Sequence, residues 1–166
     1  MSYTIRTAKP EDLPAILDIY AQARQYMRDT GNPNQWGSSH PAEALLRQDI
    51  AKQQLYLCME QDQILCVFAY IPGTDPTYLF LEDGAWPNEN PYSVIHRSAV
   101  SRHRAGVASF CFDWALEQCP DLRIDTHRDN LPMQRSLAKN GFTRCGIIYL
   151  ANGDPRIAFH KEKATE

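Results

Sequence analysis

Strands and helices alternate in the last third of this chain, and this alternation constrains the fold more than any other feature of the sequence. Residues 106–118 have the apolar spacing of a helix, and the apolar segment Leu122–His127 then predicts a strand. A second helix is expected after Asn130, which is a favourable N-cap, and Asn140-Gly141 is typical of a left-handed C-terminal cap. Two strand–helix units in succession predict an α/β fold.

The rest of the chain adds hairpins to this pattern. Two helices are expected between residues 10 and 53, and Asn152-Gly153 is a strong hairpin signal between the last two strands. The predicted order is β-α-α-β-β-β-β-α-β-α-β-β, which corresponds to one domain over residues 1–166 with a mixed sheet. The strands predicted before the alternating region are Tyr3–Thr7, Leu55–Glu60, Ile64–Ile71, Tyr78–Leu81 and Tyr92–Val100.

Composition and charge argue against several classes of protein. The net charge of −3 disfavours sequence-independent binding of nucleic acid, which depends on dense positive charge. No apolar run approaches the roughly 18 residues of a membrane span, and the first residues lack the apolar core of a secretory signal. The five cysteines form no CxxC pair, so no metal site is expected. We therefore expect a cytoplasmic protein without a membrane partner, and edge strands at the C-terminal hairpin leave a homodimer open.

The turn between a predicted strand and a predicted helix carries the clearest functional signal. Residues 101–109 read Ser-Arg-His-Arg-Ala-Gly-Val-Ala-Ser. Small residues at a helix start allow an anion to approach amide groups that together carry about half a positive charge. The spacing alone leaves two interpretations open, namely a phosphate-binding turn and an ordinary helix start with a solvated basic turn.

Two segments resemble motifs of the GCN5-related N-acetyltransferases, the GNAT family. Residues 103–108 are similar to the signature Q/R-x-x-G-x-G/A, with Gly106 and Ala108 in place and His103 at the position of Gln or Arg. Residues 130–142 resemble the second motif, an asparagine followed by a helix that ends in Gly-Phe. The order of elements is also that of the family. The resemblance implies a GNAT-type mixed central sheet with splayed central strands flanked by helices.

The same resemblance implies acetyl-CoA as the cosubstrate. Backbone amides of the turn would hold its pyrophosphate, and the gap between the splayed strands Tyr92–Val100 and Leu122–His127 would take the pantetheine arm. The amine would arrive from the opposite side. The residues implied in cofactor binding are Ala99, Val100, Ser101, Arg102, Arg104, Ala105, Gly106, Val107, Ala108, Ser109 and Asn130.

Acyl transfer to an amine needs a base for the amine and a proton source for the departing thiolate. The family often uses a tyrosine as the acid, four residues before the Gly of Gly-Phe, and Leu137 occupies that position. The proton source would then be water or Tyr149, or the reaction would proceed without an acid. His96 is a candidate base because a histidine with an ordinary pKa of about 6.5 accepts protons near neutrality; a structural histidine is equally open. Strict alternation places His96, Ser98 and Val100 on one face of their strand.

Loops are expected to determine the acceptor. Trp36 and Trp86 lie in loop segments that the resemblance places over the acceptor side, where an aromatic wall would hold an aliphatic or cationic amine. The alternative is that each tryptophan closes an edge of the core. Asp125 and His127 share one face of a predicted strand. These side chains would either orient water or pair with Arg128. We expect the pairing for Asp125, and His127 remains a candidate substrate residue.

These observations favour an acetyl-CoA-dependent N-acetyltransferase that moves an acetyl group directly to the primary amine of a small molecule. The alternative is a non-catalytic acyl-CoA-binding module of the same fold, which the leucine at position 137 favours. A nucleotide-binding protein is disfavoured, because neither G-x-x-x-x-G-K-[ST] nor G-x-G-x-x-G occurs.

Overall fold

The structure is a computed structural model that describes residues 2–101 and 104–165. Arg102 and His103, both part of the predicted phosphate turn, lie outside the described residues. None of the helices in the described ranges is long and apolar enough to cross a membrane. The strands are β1 (Thr4–Thr7), β2 (Leu55–Glu60), β3 (Gln63–Pro72), β4 (Ser93–Val100), β5 (Asp121–Thr126), β6 (Thr143–Tyr149) and β7 (Pro155–Glu162). The α-helices are α1 (Leu13–Asp29), α2 (Glu43–Ala51), α3 (Val107–Gln118) and α4 (Leu131–Lys139).

The strands form one mixed sheet in the order β1-β2-β3-β4-β5-β7-β6. All neighbouring strands are antiparallel except the central pair, β4 and β5, which runs parallel. This central pair is joined only at its beginning, where Ser93 lies opposite Leu122 and Val94 opposite Arg123. Beyond these positions the two strands separate. The predicted α/β fold with a mixed sheet and splayed central strands is therefore confirmed.

Helices cover both faces of the sheet. Buried residues of α1 and α2 pack on one face with Leu55, Leu57 and Val67. Buried residues of α3 and α4 pack on the other face with Phe68 and Ile124. Each helix presents an apolar stripe to the sheet, as its spacing predicts. The opening between β4 and β5 consequently lies between two helical layers.

The predicted strand at Tyr78–Leu81 is wrong. Residues Pro76–Tyr78 form a 3-10 turn, and Glu82 makes only an isolated bridge to β6. The turn forms because Pro76 is fixed in a conformation that suits a helix start and the Asp75 carboxylate accepts a hydrogen bond from the Thr77 amide at 2.9 Å. Local capping therefore outweighs the β propensity of the aromatic and apolar residues that follow.

A β-bulge interrupts β4 at Arg97 and Ser98. His96 and Ala99 are three residues apart, whereas the residues of β3 that pair with them are only two apart. Arg97 has a φ of 53°, which breaks the extended conformation. Because a bulge shifts the alternation of side chains, His96 and Ala99 face the same side of the sheet. The predicted shared face of His96, Ser98 and Val100 is therefore wrong.

Candidate active site

Two cavities meet at the opening between β4 and β5. The first, here the α3 cavity, has a volume of about 410 Å³ and is lined by Val100, Val107, Ala108, Pro132, Met133 and Ser136, among others. The second, here the His96 cavity, has a volume of about 490 Å³, and its lining includes Trp36, His40, Asp75, His96, Asp125 and Arg156. Five of the described residues line both, namely Met27, Ile95, Ser98, Asn130 and Met133. A ligand in one cavity could therefore reach a ligand in the other through the open end of the central strands.

The start of α3 presents backbone amides that can bind an anion. Gly106 is the N-cap with a φ of 82°, and its carbonyl accepts from the Phe110 amide at 2.9 Å. Within the described parts of the chain, no backbone carbonyl pairs with the amides of Ala108 and Ser109. Among the residues that the structure describes, none has an atom within 4 Å of a Cβ built at position 106, so the described part of the turn is open on that side. Free amides at the positive end of a helix fit a phosphate.

The resemblance implies Arg102 and Arg104 in cofactor binding, and a guanidinium at this turn would add positive charge for a phosphate. Arg104 lines the α3 cavity, but its guanidinium is engaged with Glu60 at 2.9 Å and with Gln63 at 3.1 Å. An arginine that is already paired offers less charge to a phosphate than a free one. Arg102 lies outside the described residues, as does His103. The structure therefore describes the backbone amides of the turn and the side chain of Arg104, but not the side chains of Arg102 and His103.

The remaining residues predicted for cofactor binding differ in how they face the α3 cavity. Val100, Val107 and Ala108 line the α3 cavity. Ala99 also lines this cavity but is buried mainly against the α1 and α2 side of the sheet. Ser101 is hydrogen-bonded to β3. Its amide donates to the Leu65 carbonyl at 2.9 Å, and its hydroxyl donates to the Ile64 carbonyl. The exposed residues of the turn are Ala105, Gly106 and Ser109.

The backbone of β4 forms a second binding element. From Ile95 to Val100 this strand pairs with β3 on one side, and β5 pairs with it only at Ser93 and Val94. The backbone groups that point toward β5 therefore lack a sheet partner in the described structure. An extended ligand chain with its own amides could add to this edge as a strand does.

Asn130 connects the two cavities. Its side-chain oxygen accepts from the Met133 amide at 3.1 Å, which confirms the predicted N-cap of α4. Its amide nitrogen donates to Gln35 at 2.9 Å. Both of its side-chain groups thus have partners within the protein. Asn130 consequently holds the loop before α4 against the loop that carries Trp36.

His96 lies between two carboxylates in the His96 cavity. Its Nε2 is 2.8 Å from Asp75 Oδ2, and its Nδ1 is 3.9 Å from Asp125 Oδ2. The side chain keeps 24% of its surface exposed. An imidazole that donates from Nε2 to Asp75 retains its lone pair on Nδ1. Nδ1 is then the atom that can accept a proton from a ligand.

The protonation states around His96 support this arrangement. Burial tends to raise the pKa of Asp75, but hydrogen bonds from His96 and Thr77 outweigh it and hold this pKa at about 2. Asp75 is therefore an ionised acceptor near neutral pH. Burial raises the pKa of Tyr78 well above its ordinary value, so its hydroxyl stays protonated and donates to Asp125 at 2.7 Å.

Asp75 and Asp125 show where sequence reasoning failed at this site. Asp125 was expected to pair with Arg128, and this is wrong, because its carboxylate faces Tyr78 and His96. Asp75 was missed, since an aspartate before Pro76 in a loop signals only a turn. The single usable signal was the cap that Asp75 provides to that turn.

The predicted substrate residues separate in the structure. Trp36 lines the His96 cavity, with its ring 5.6 Å from that of Tyr20 and 6.0 Å from that of His40. Trp86 is not among the lining residues of either cavity; its indole donates to the Tyr78 carbonyl at 3.0 Å and its ring lies 4.0 Å from the Arg123 guanidinium. Trp36 is thus placed to contact a ligand, and Trp86 supports Tyr78 from behind.

His127 shapes a turn rather than the cavity. β5 ends at Thr126, one residue earlier than predicted, so His127 is not on the strand face of Asp125. Its Nδ1 accepts from the Asp129 amide at 3.0 Å, and its carbonyl accepts from the Asn130 amide at 2.9 Å. Burial lowers its pKa, in keeping with a neutral ring that accepts at Nδ1. The substrate role predicted for His127 gains no support from this position.

Arg156 was not singled out in the sequence, yet it lines the His96 cavity from β7. Its guanidinium donates to the carbonyls of Pro155 at 2.8 Å and Gln35 at 3.3 Å. Burial lowers its pKa, which the nearby Asp125 and Asp154 counteract. An arginine at the start of a hairpin strand is usually exposed, so no sequence signal indicated that it is buried.

The position of the family's acid, Leu137, lies in the core. Its side chain is completely buried among the residues of the α3 and α4 side, whereas the neighbouring Ser136 lines the α3 cavity. Tyr149 donates to Glu82 on the surface and lines neither cavity. Tyr149 is therefore not placed to protonate a thiolate in the opening.

A further group of polar side chains lies at the other end of β5. Ligand atoms of Asp121, His160 and Glu162 lie within 4.8 Å of one another. His160 Nε2 is bonded to Asp121 at 2.9 Å, and the Asn88 amide donates to Asp121 at 2.8 Å and to Glu162 at 2.6 Å. Hydrogen bonds within the chain thus account for this arrangement, which lines neither of the two cavities.

Comparison with known proteins shows strong similarity only at the level of structure. No protein-family model matches the sequence, and no curated protein matches it either. A GNAT-family acetyltransferase from Streptococcus agalactiae is 29% identical and superimposes with a TM-score of 0.88 over 98% of this chain and 96% of that one. A putative acetyltransferase from Staphylococcus aureus is 25% identical with a TM-score of 0.68, over 96% and 98% of the two chains. An aminoglycoside acetyltransferase solved with coenzyme A is 17% identical with a TM-score of 0.65, over 97% and 95%.

Proposed function

Because this chain has the fold of the GNAT acetyltransferases, we propose that it is an acetyl-CoA-dependent N-acetyltransferase that acts directly on the primary amine of a small molecule. One observation carries the proposal: two cavities enter the opening between β4 and β5 from opposite sides and share Ile95, Ser98 and Asn130. Such an arrangement allows a thioester and an amine to meet without a covalent enzyme intermediate.

In this proposal the α3 cavity binds the cosubstrate. The amides of Ala108 and Ser109 hold the pyrophosphate, and the free edge of β4 pairs with the pantetheine arm. Bound acetyl-CoA supplies an acetyl thioester at the opening between the strands. Ser98 and Asn130, which line both cavities, lie where the two substrates would be in contact.

His96 acts as the base on the acceptor side. Its Nδ1 accepts the proton of the entering ammonium group, and the freed amine attacks the thioester carbonyl, so that a C–N bond forms and the C–S bond breaks. Asp75 is a positioning residue, because its hydrogen bond to Nε2 fixes the ring and its tautomer. The second proton leaves the nitrogen after attack and passes through water to the departing thiolate, since Leu137 is aliphatic and buried.

A non-catalytic acyl-CoA-binding module is the second candidate. The observation that favours it is the completely buried Leu137 at the position where the family often has a catalytic tyrosine. Thiolates are tolerable leaving groups, so the absence of an acid does not by itself exclude catalysis. The two candidates differ in one measurable property, which is the release of free thiol from acetyl-CoA in the presence of amines.

The test measures thiol release with a panel of primary amines for the wild type, His96→Gln and the control His127→Gln. The control removes a histidine that lines neither cavity. We expect His96→Gln to lower kcat/KM by roughly 10²–10⁴ and to remove the acid limb of its pH profile, with coenzyme A affinity unchanged. Normal turnover with an intact acid limb would exclude His96 as the base. Tight binding of acetyl-CoA without thiol release for any amine would favour the binding module.

A further inference from the structure

The His96 cavity contains a buried cation without a carboxylate partner. Arg156 is only 6% exposed. In the part of the chain that the structure describes, no carboxylate oxygen lies within 4.0 Å of its guanidinium, and both of its acceptors are backbone carbonyls. Arg97, in the same cavity, is instead held by Asp49 in two hydrogen bonds of 2.9 Å. A buried charge without a partner is unfavourable, so Arg156 is suited to bind an anion that enters the cavity.

The opposite charges of the cavity lie near His96. Asp125 on β5 is directly opposite Ala158 on β7, and Arg156 is two residues before Ala158 on the same face of that strand. Arg156 and Asp125 are therefore diagonal neighbours, whose backbones are about 7–8 Å apart in antiparallel strands. Asp75 adds a second carboxylate on the far side of His96. The cavity thus has two carboxylates around His96 and a cation at Arg156, with Asp154 as a further lining carboxylate near that cation. The amine and the anionic group of one small molecule can reach His96 and Arg156 together.

We propose that the acceptor is an amino acid, or another small amine that also carries a carboxylate, and that Arg156 determines this specificity by binding the carboxylate. The inference rests on the proposed function, since it names the substrate class of the same site. A guanidinium binds a carboxylate through two parallel hydrogen bonds. The amine of the same molecule then lies toward Asp125 and His96, where a cation is stabilised and where its proton can be removed.

Other acceptors fit these charges less well. A monoamine without an anionic group would cover Arg156 and leave its charge both buried and unpaired. A phosphate group has about two negative charges near neutral pH. The two carboxylates that act electrostatically on Arg156, Asp125 and Asp154, would repel it more strongly than a ligand carboxylate with a single charge. A zwitterion satisfies both ends of the cavity with no change in net charge.

The first experiment uses the wild-type protein and matched acceptors. Each proteinogenic amino acid is compared with the amine that its decarboxylation would give, so that the two acceptors differ only in the carboxylate. Values of kcat/KM are expressed per unprotonated amine, which removes the difference in amine pKa. We expect the best amino acid to exceed its amine by tenfold or more. Equal or faster acetylation of the amines would overturn the inference and leave the proposed function intact.

The second experiment uses Arg156→Met, which keeps most of the side-chain length and removes the charge. We expect kcat/KM to fall at least tenfold for the amino acids and to change less than threefold for the amines. Arg47→Met, on the exposed surface of α2, changes the net charge equally and should alter neither value. An unchanged preference for amino acids in Arg156→Met would overturn the inference. If this variant fails to fold, Arg156→Lys replaces it, with a smaller loss of preference expected.

Binding distinguishes failure of the inference from failure of the proposed function. The amino acids and amines are titrated by calorimetry into the protein saturated with coenzyme A. Amino acid binding that is lost in Arg156→Met supports the inference even when no acceptor is acetylated, and the absence of turnover then counts against the proposed function alone. No amino acid binding by the wild type, together with no preference in turnover, overturns the inference.

Discussion

A methyl group at Gly106 should weaken the binding of coenzyme A while changing the fold very little. Gly106 is the N-cap of α3 and has a φ of 82°, in the left-handed region that favours glycine. Alanine in this conformation costs about 1–2 kcal/mol, which reduces the free energy of unfolding by that amount. A Cβ at this position would meet no atom of the described residues within 4 Å, so no clash with them adds to this cost.

The effect on binding has a different origin. In our proposal the space beside Gly106 is where the pyrophosphate approaches the free amides of α3. A methyl group there would displace the phosphate from at least one amide. A hydrogen bond to a charged group contributes about 1.5–3 kcal/mol, so the dissociation constant of coenzyme A should rise roughly tenfold to a hundredfold.

Gly153→Ala is the matched control. Gly153 lies in the loop between β6 and β7 and has a φ of 90°. An added Cβ there would likewise meet no atom within 4 Å in the described ranges. Both variants should therefore lose similar stability in urea unfolding, and only Gly106→Ala should lose affinity when coenzyme A is titrated by calorimetry. Equal affinities of the two variants would refute the placement of the pyrophosphate at this turn.

Two further predictions concern stability. Leu137→Ala should lower the free energy of unfolding by about 2–5 kcal/mol, because the side chain is completely buried. The shift of the urea midpoint at constant m value measures this loss. A variant as stable as the wild type would contradict the position of Leu137 in the core. His160→Gln should flatten the loss of stability on acidification. Burial lowers the pKa of His160, and its Nδ1 accepts a hydrogen bond from Arg123 at 3.1 Å, so the ring stays neutral in the folded protein. In the unfolded chain the same ring takes up a proton below about pH 6.5. Stability from this group is therefore present above that pH and is lost as the pH falls; an unchanged pH dependence in His160→Gln, measured by urea unfolding, would contradict this reasoning.

Much of the fold could be predicted because its signals are local. Asn130 caps α4 through a hydrogen bond to a residue three positions away, and Asn152-Gly153 allows the tight connection of β6 and β7 through backbone conformation alone. The splayed central strands required more than local signals, and they were expected only through the resemblance of two motifs to the GNAT family. The register of β4 could not be predicted, because the bulge at Arg97 depends on pairing with β3 and on the ion pair with Asp49.

Some residues of the candidate site could likewise be recognised from the sequence, whereas others became apparent only in the tertiary structure. The turn at Gly106 and the candidate base His96 are recognisable from residue type and from their position along the chain. Their partners are not, because Asp75 is 21 residues from His96 and the Arg156 guanidinium donates to a carbonyl 121 residues away. Such contacts form only when the sheet brings β4, β5 and β7 together. The sequence by itself therefore determines which chemical groups are available, and packing determines which of them face one another, since burial and charge pairing depend on distance in space and not along the chain.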